Sequence, residues 1–132
     1  MKKLTEFNEI LDKKSFLHLA FVKKDGSPHS TPIWMDDDRE NNIIYINTAT
    51  GRVKTHLNVG SKVAGSIIDP DNPYNFLGFE GAIIHKTVGD SSADDHIDAL
   101  AKKYLGQDKY PYRSDTETRI KLTIKVDKVF GT

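Results

Sequence analysis

The chain has 132 residues, long enough for one domain with a hydrophobic core and near the size at which a second copy helps to cover apolar surface. Nineteen Lys and Arg balance nineteen Asp and Glu, so no global field draws the chain to nucleic acid or to an anionic membrane, and any anion binding must be local. With no cysteine, disulfides, thiolate metal sites and cysteine nucleophiles are excluded together.

Met1-Lys2-Lys3-Leu4 runs at once into Thr5, Glu6 and Asn8, leaving no apolar stretch for a signal peptide, and no segment reaches the ~20 apolar residues of a membrane span. The expectation is a soluble, cytoplasmic protein. Leu4, Phe7, Ile10 and Leu11 share one helical face, which predicts a short amphipathic helix over residues 4–14 that packs as a lid. Phe16 to Val22 is a strand-length apolar run, and Lys24-Asp25-Gly26-Ser27 signals a hairpin into a second strand, Pro28 to Met35. In that strand Ser30, Pro32 and Trp34 share a face. Pro32 cannot donate to a ladder, so the strand lies at an edge, at a bulge or beside a ligand.

Asp36 to Asn42 reads as a polar loop and Ile43 to Thr48 as the third strand. A helix is predicted from about Gly51 to Asn58, capped by Thr50 or Thr48, with Gly60 as a left-handed terminator. Arg52 and Lys54 then sit in its first turn, where the dipole disfavours cations by a few tenths of a kcal/mol each, up to ~1, unless an anion collects them. A bound phosphate would be that anion; a solvated helix start is the plainer alternative. Lys62 to Asp69 is the fourth strand, Pro70 to Pro73 an extended connection, and Tyr74 to Val88 one long strand or a bent pair with Gly78, Gly81 and Gly89 at the bends.

Ser91-Ser92 is expected to cap a helix with a buried stripe of Ile97, Leu100, Ala101 and Tyr104, ended by Gly106. A tyrosine-rich loop, Gln107 to Glu117, leads to a last strand whose Ile120, Leu122, Ile124 and Val126 point inward, with Arg119, Lys121, Thr123 and Lys125 facing out. Six or seven strands with helices only between hairpins predict a mainly β, antiparallel barrel with a few appended helices. The five histidines show no metal-ligand spacing, and neither a P-loop, a G-x-G-x-x-G nor a G-x-S-x-G elbow is present. Trp34 reads either as core or as a platform for a planar ring.

Three motifs in order carry a likeness. D-G-x-P-x-x-x-P-x-W (Asp25 to Trp34), T-x-T-G-R-x-K (Thr48 to Lys54, reaching Asn58) and D-P-x-N-P-Y (Asp69 to Tyr74) resemble the pyridoxamine 5′-phosphate oxidase-like superfamily, and most of all its small deazaflavin-dependent branch. The resemblance extends over roughly Phe16 to Val129 and implies, for a single domain of residues 1–132, a split β-barrel that works as a homodimer with two cofactor sites at the interface. It implies coenzyme F-420 or FMN as cofactor and hydride transfer to a small organic substrate, which suits a chain with no evident acid–base dyad and hence no catalytic side chain singled out. Lys54 and Arg52 match the family's phosphate-holding cations, Thr48 and Thr50 its hydroxyl donors, and Asn58 the end of that motif. Ser30, Thr31, Pro32, Ile33 and Trp34 match the strand along the flavin ring, and Tyr74 an aromatic that often comes from the partner subunit. The R-x-H motif of the vitamin B6 oxidases is not found before Gly131-Thr132, which argues against that substrate, and a cofactor carrier without turnover remains the alternative.

Overall fold

The computed structural model describes residues 2–132, and its opening segment buries the expected apolar residues but is helical only to Leu11, not to residue 14. A 3-10 turn, Leu4–Phe7, runs into a short helix α1, Asn8–Leu11, and together they bury Leu4, Phe7, Ile10 and Leu11. Seven strands follow: β1 Leu17–Val22, β2 Pro28–Ile33, β3 Asp36–Asp38, β4 Ile43–Ala49, β5 Lys62–Asp69, β6 Asn72–Val88 and β7 Arg119–Gly131. One long helix, α2 Ser91–Leu105, stands between β6 and β7.

The strands form one antiparallel sheet in the order β2-β1-β5-β6-β7-β4-β3. β1 and β4 stand four strand spacings apart, about 19 Å in a flat sheet. Leu19 of β1 and Ile46 of β4 nevertheless belong to one buried cluster with Ile67, Phe79 and Leu122, so the sheet curls around that core. It does not close: β2 and β3 are free edges, which makes the architecture a split barrel. Curvature comes from β6, whose register against β7 shifts at Glu80/Gly81 and again at Ile83/His85. Gly81 is obligatory there, because a Cβ would collide with the Lys125 carbonyl.

The edge position of β2 agrees with Pro28 and Pro32, which could not serve a central ladder. The β1–β2 hairpin turns on Gly26 at φ +87°, with the Lys23 N–H donating to the Ser27 carbonyl at 2.8 Å. Three further expectations need correction. Asp36–Asp38 is not loop but the edge strand β3, followed by a 3-10 turn Arg39–Asn41; pairing with β4 holds it, and Arg39 donates to the Asp37 carboxylate at 2.8 Å, offsetting one of its three charges. Asp90, not Ser91-Ser92, caps α2, accepting from the Ser92 and Ala93 N–H groups; a carboxylate also suits the positive helix end. The connection Pro70 to Pro73 shrinks to a two-residue turn, and Pro73 lies within β6.

The N-terminal segment is tied down by charge. Lys13 donates to Asp69 at 2.8 Å and pairs with Asp71 at 3.0 Å, while Asp69, only 2% exposed, also accepts from the Asp71 N–H. The Lys13 hydrogen bond, with that N–H, holds the Asp69 carboxyl down at about 2, and Asp69 in turn pushes Lys13 up to about 12. A carboxylate with a depressed pKa stabilises the fold above its ordinary range, and this contribution is lost as pH falls from about 4 toward 2. Thermal melts of Lys13→Met and of the parent across that window should therefore differ most near neutrality and converge in acid. A gap that stays constant with pH would show that the pair contributes nothing through its charge.

Candidate functional site

After β4 the chain turns at Gly51, with φ +84°, passes through Arg52 in an extended conformation, and makes a single 3-10 turn, Val53–His56. The helix expected over Gly51 to Asn58 is absent. Two β-branched residues in four and a glycine at positive φ leave too short a run to nucleate a helix, and the Thr55 hydroxyl bonds back to the Ala49 carbonyl at 2.8 Å. No helix dipole therefore acts on Arg52 or Lys54. Thr50 caps nothing, since its hydroxyl accepts from the Thr118 N–H at 3.2 Å.

Helix α2 covers the outer face of β4 and β7. Alternation puts Asn47 and Ala49 of β4 and Arg119 of β7 on that face. Ile97, Leu100 and Tyr104 of α2 form a second, smaller core with Trp34 and Tyr110. The loop after α2 is bound back to it through Asp98, which accepts from the Tyr110 N–H at 2.9 Å and from Arg113 at 2.7 Å. This brings Tyr110 and Tyr112 over the end of β4. Between these parts lies a cavity of about 230 Å³. Trp34, Tyr110 and Tyr112 make an aromatic wall, Ile97 and Leu100 an aliphatic one, and Arg52, Lys54 and Arg119 supply three cations.

The charges are unbalanced. Among the described residues neither Arg52 nor Lys54 has a salt bridge or a side-chain hydrogen bond, and only Arg119 has an acid, Glu117 at 3.0 Å. Burial, followed by repulsion from Arg52 and Arg119, lowers the Lys54 pKa below the ordinary lysine value. The charge on Lys54 is thus disfavoured, by burial first and by repulsion from Arg52 and Arg119 second, and not by a helix dipole.

Of the residues singled out from sequence, Pro32, Ile33, Trp34, Thr48, Arg52 and Lys54 line the cavity. Ser30 and Thr31 lie farther back along the edge strand and do not. Asn58 is turned away, accepting from Lys86 at 3.0 Å, and Tyr74, 86% exposed, stands near the β5–β6 turn outside the cavity. Trp34 lies one residue beyond β2, with one face stacked on Tyr104 at 5.3 Å and 4° and Tyr110 edge-on at 6.0 Å. The lining residues not singled out for the site include Ile97, Leu100, Tyr110, Tyr112, Asn47 and Arg119. Arg119, read as facing solvent, is on the predicted face, but α2 and the tyrosine loop cover that face and leave it 6% exposed. Asn47 also lies on that face; a polar residue in an otherwise apolar strand was the available signal.

No family model matches the chain. Among solved structures, an F-420 reductase is similar over 93% of this chain and 94% of its own, at 25% identity and a TM-score of 0.73. A candidate pyridoxamine 5′-phosphate oxidase from Lactobacillus delbrueckii matches over 97% and 93%, at 22% identity and a TM-score of 0.60. A conserved hypothetical protein from Mycobacterium tuberculosis matches over 99% and 84%, at 15% identity and a TM-score of 0.67. These likenesses show that the chain shares the fold of those structures, a split barrel.

An ammonium whose pKa the fold lowers opposes folding at every pH where it is charged, that is, below its lowered pKa. Replacing Lys54 with the uncharged Met should raise the melting temperature of the ligand-free protein near neutral pH, with the gain shrinking in alkali as the parent's Lys54 loses its proton. A melting temperature lowered by several degrees would mean that Lys54 has a structural partner.

Proposed function

We propose that the chain is a cytoplasmic oxidoreductase that binds a flavin-type cofactor, coenzyme F-420 or FMN, and passes hydride between it and a small organic acceptor. The observation that supports this most strongly is the union, in one cavity, of unpaired cations with an aromatic wall. A ligand with a phosphate at one end and a planar ring at the other suits both parts. The bound cofactor supplies the hydride chemistry. Arg52 and Lys54 take the phosphate. Pro32, Ile33 and Trp34 flank the ring, and Ile97 and Leu100 keep water from it. The titratable side chains lining the cavity are Arg, Lys and Tyr, none with an ordinary pKa near 7, which fits a site whose chemistry is carried by its cofactor.

At about 230 Å³ the cavity is smaller than the ~300–1,000 Å³ of most ligand pockets, so a tricyclic ring with its phosphate would extend past the mouth. A second copy of the chain would cover the remainder, giving a homodimer with two sites, and the exposed Tyr74, remote from its own chain's cavity, is available to the other copy's site. A carrier that holds the cofactor without turnover would share the same features. Steady-state oxidation of reduced cofactor by quinone-like acceptors separates the two readings.

Adding F-420 or FMN should quench Trp34 fluorescence, and sedimentation should report twice the 14.9 kDa of one chain. Arg52→Ala and Lys54→Ala should each weaken cofactor binding by roughly 1.5–3 kcal/mol, the scale of a charge-assisted hydrogen bond. Variants that bind both cofactors as tightly as the parent, or unchanged emission at saturation, would contradict the assignment.

A further inference from the structure

Arg119 is the most buried of the three cations, and its guanidinium is already fixed before any ligand arrives. Its Nε donates to the Asn47 Oδ1 at 2.9 Å, its Nη1 donates to the Glu117 Oε1 at 3.0 Å, and the group lies over the Tyr110 ring at 5.1 Å. Its Nη2 makes no hydrogen bond among the described residues, although the side chain is 6% exposed and lines the cavity. Nη2 is not among the fully buried polar atoms, so it is the donor of this guanidinium that reaches the open cavity, where an acceptor on a ligand can meet it.

The support behind Arg119 runs through three residues. Because the Asn47 Oδ1 accepts from Arg119, its Nδ2 faces the other way, donating to the Ala93 carbonyl at 2.9 Å and to the His96 Nδ1 at 3.1 Å. A carbonyl can only accept and a guanidinium can only donate, so the orientation of the amide is not open to choice. The His96 Nδ1 must then be the bare nitrogen. Its proton sits on Nε2, which donates to the Asp36 Oδ1 at 3.1 Å. His96, 6% exposed, thus holds Asn47, and Asn47 aims Arg119.

We propose that Arg119 is the buried anchor of the anion site, donating from Nη2 to an oxygen of the same phosphate that Arg52 and Lys54 hold, with Asn47 and His96 as the residues that position it. This rests on the phosphate reading above. It adds a preorganised donor to two cations on a loop, so that the site combines one fixed contact with two adaptable ones.

The test compares Arg119→Gln, His96→Leu, His96→Asn and the double variant Arg119→Gln/His96→Leu with the parent. The probes are FMN against riboflavin, or F-420 against 8-hydroxy-5-deazariboflavin, according to which cofactor the parent binds, with melting temperatures as the check on folding. Arg119→Gln should weaken the phosphorylated ligand by roughly ten- to a hundredfold and leave its phosphate-free ring within about twofold. His96→Leu should weaken it about three- to tenfold, whereas His96→Asn, whose Oδ1 takes the place of the lost Nδ1 acceptor, should restore it to within about twofold. In the double variant, His96→Leu should add nothing to Arg119→Gln, because its effect passes through Arg119. If Arg119→Gln melts too low to assay, the His96 pair carries the test alone.

Parent-like binding by Arg119→Gln, or an equal loss for the ligand and its phosphate-free ring, would overturn the proposal while the effects of Arg52 and Lys54 stand. Failure of His96→Asn to exceed His96→Leu would do the same. If the parent itself makes no distinction between ligand and phosphate-free ring, the phosphate reading fails, and this proposal with it.

Discussion

Helix α2 is pinned to the sheet at both ends by buried polar bonds, and the cavity exists because of that docking. At its start the Asn47 amide donates to the Ala93 carbonyl; near its end the Tyr104 hydroxyl donates to the Ser15 carbonyl at 2.6 Å and accepts from the Met35 N–H at 3.2 Å. Burial pushes the Tyr104 phenol up to about 12, so it stays a neutral donor across the physiological range. Lys103 adds a bond to the Met35 carbonyl at 2.8 Å. These contacts join the helix to β4, to the segment before β1 and to the residues after β2. Trp34 then stacks on Tyr104 with Phe16 edge-on to the same ring, and the aromatic wall follows from the helix position.

With α2 in place, the outer face of β4 and β7 becomes an interior. Asn47, Ala49 and Arg119 would face water on a bare sheet, but are here almost fully buried. Buried polar groups must be satisfied, and the Asp36–His96–Asn47–Arg119–Glu117 chain does so with one polar contact per link. Among the described residues the buried His18 Nδ1 has no partner, and charge goes unbalanced at the cavity, where Arg52 and Lys54 approach Arg119 without acids of their own. A protein under no functional demand there could put an acid or a neutral side chain at any of these positions. The surplus of positive charge, set beside aromatic rings, is the property on which the proposed binding role of the cavity rests.

Much of the fold was legible because it rests on local rules. The alternation in β7, the Asp-Gly hairpin after β1, the apolar spacing of residues 4–11 and the edge character of β2 all follow from periodicity and from what proline cannot do. The candidate site was legible in part. Arg52, Lys54, Thr48 and the Pro32–Trp34 stretch line the cavity, while no helix dipole acts there and the Lys54 charge is disfavoured instead by burial and then by repulsion from Arg52 and Arg119. Arg119 was unreadable in isolation, since an outward position on a strand says nothing about whether a helix later covers it. Ser30, Thr31, Thr50, Asn58 and Tyr74 lie outside the cavity for the converse reason, as sequence proximity to a site does not turn a side chain toward it.

The central claim is that three cations converge on one anionic group, and phosphorus NMR of FMN in the presence of the protein tests it most directly. A free phosphate monoester takes up its second proton near pH ~6. Held by Arg52, Lys54 and Arg119, it should remain a dianion well below that, with its resonance displaced from the free position and flat across the range where free FMN titrates. A phosphorus resonance that titrates as it does in free FMN, with the protein in excess, would contradict the account.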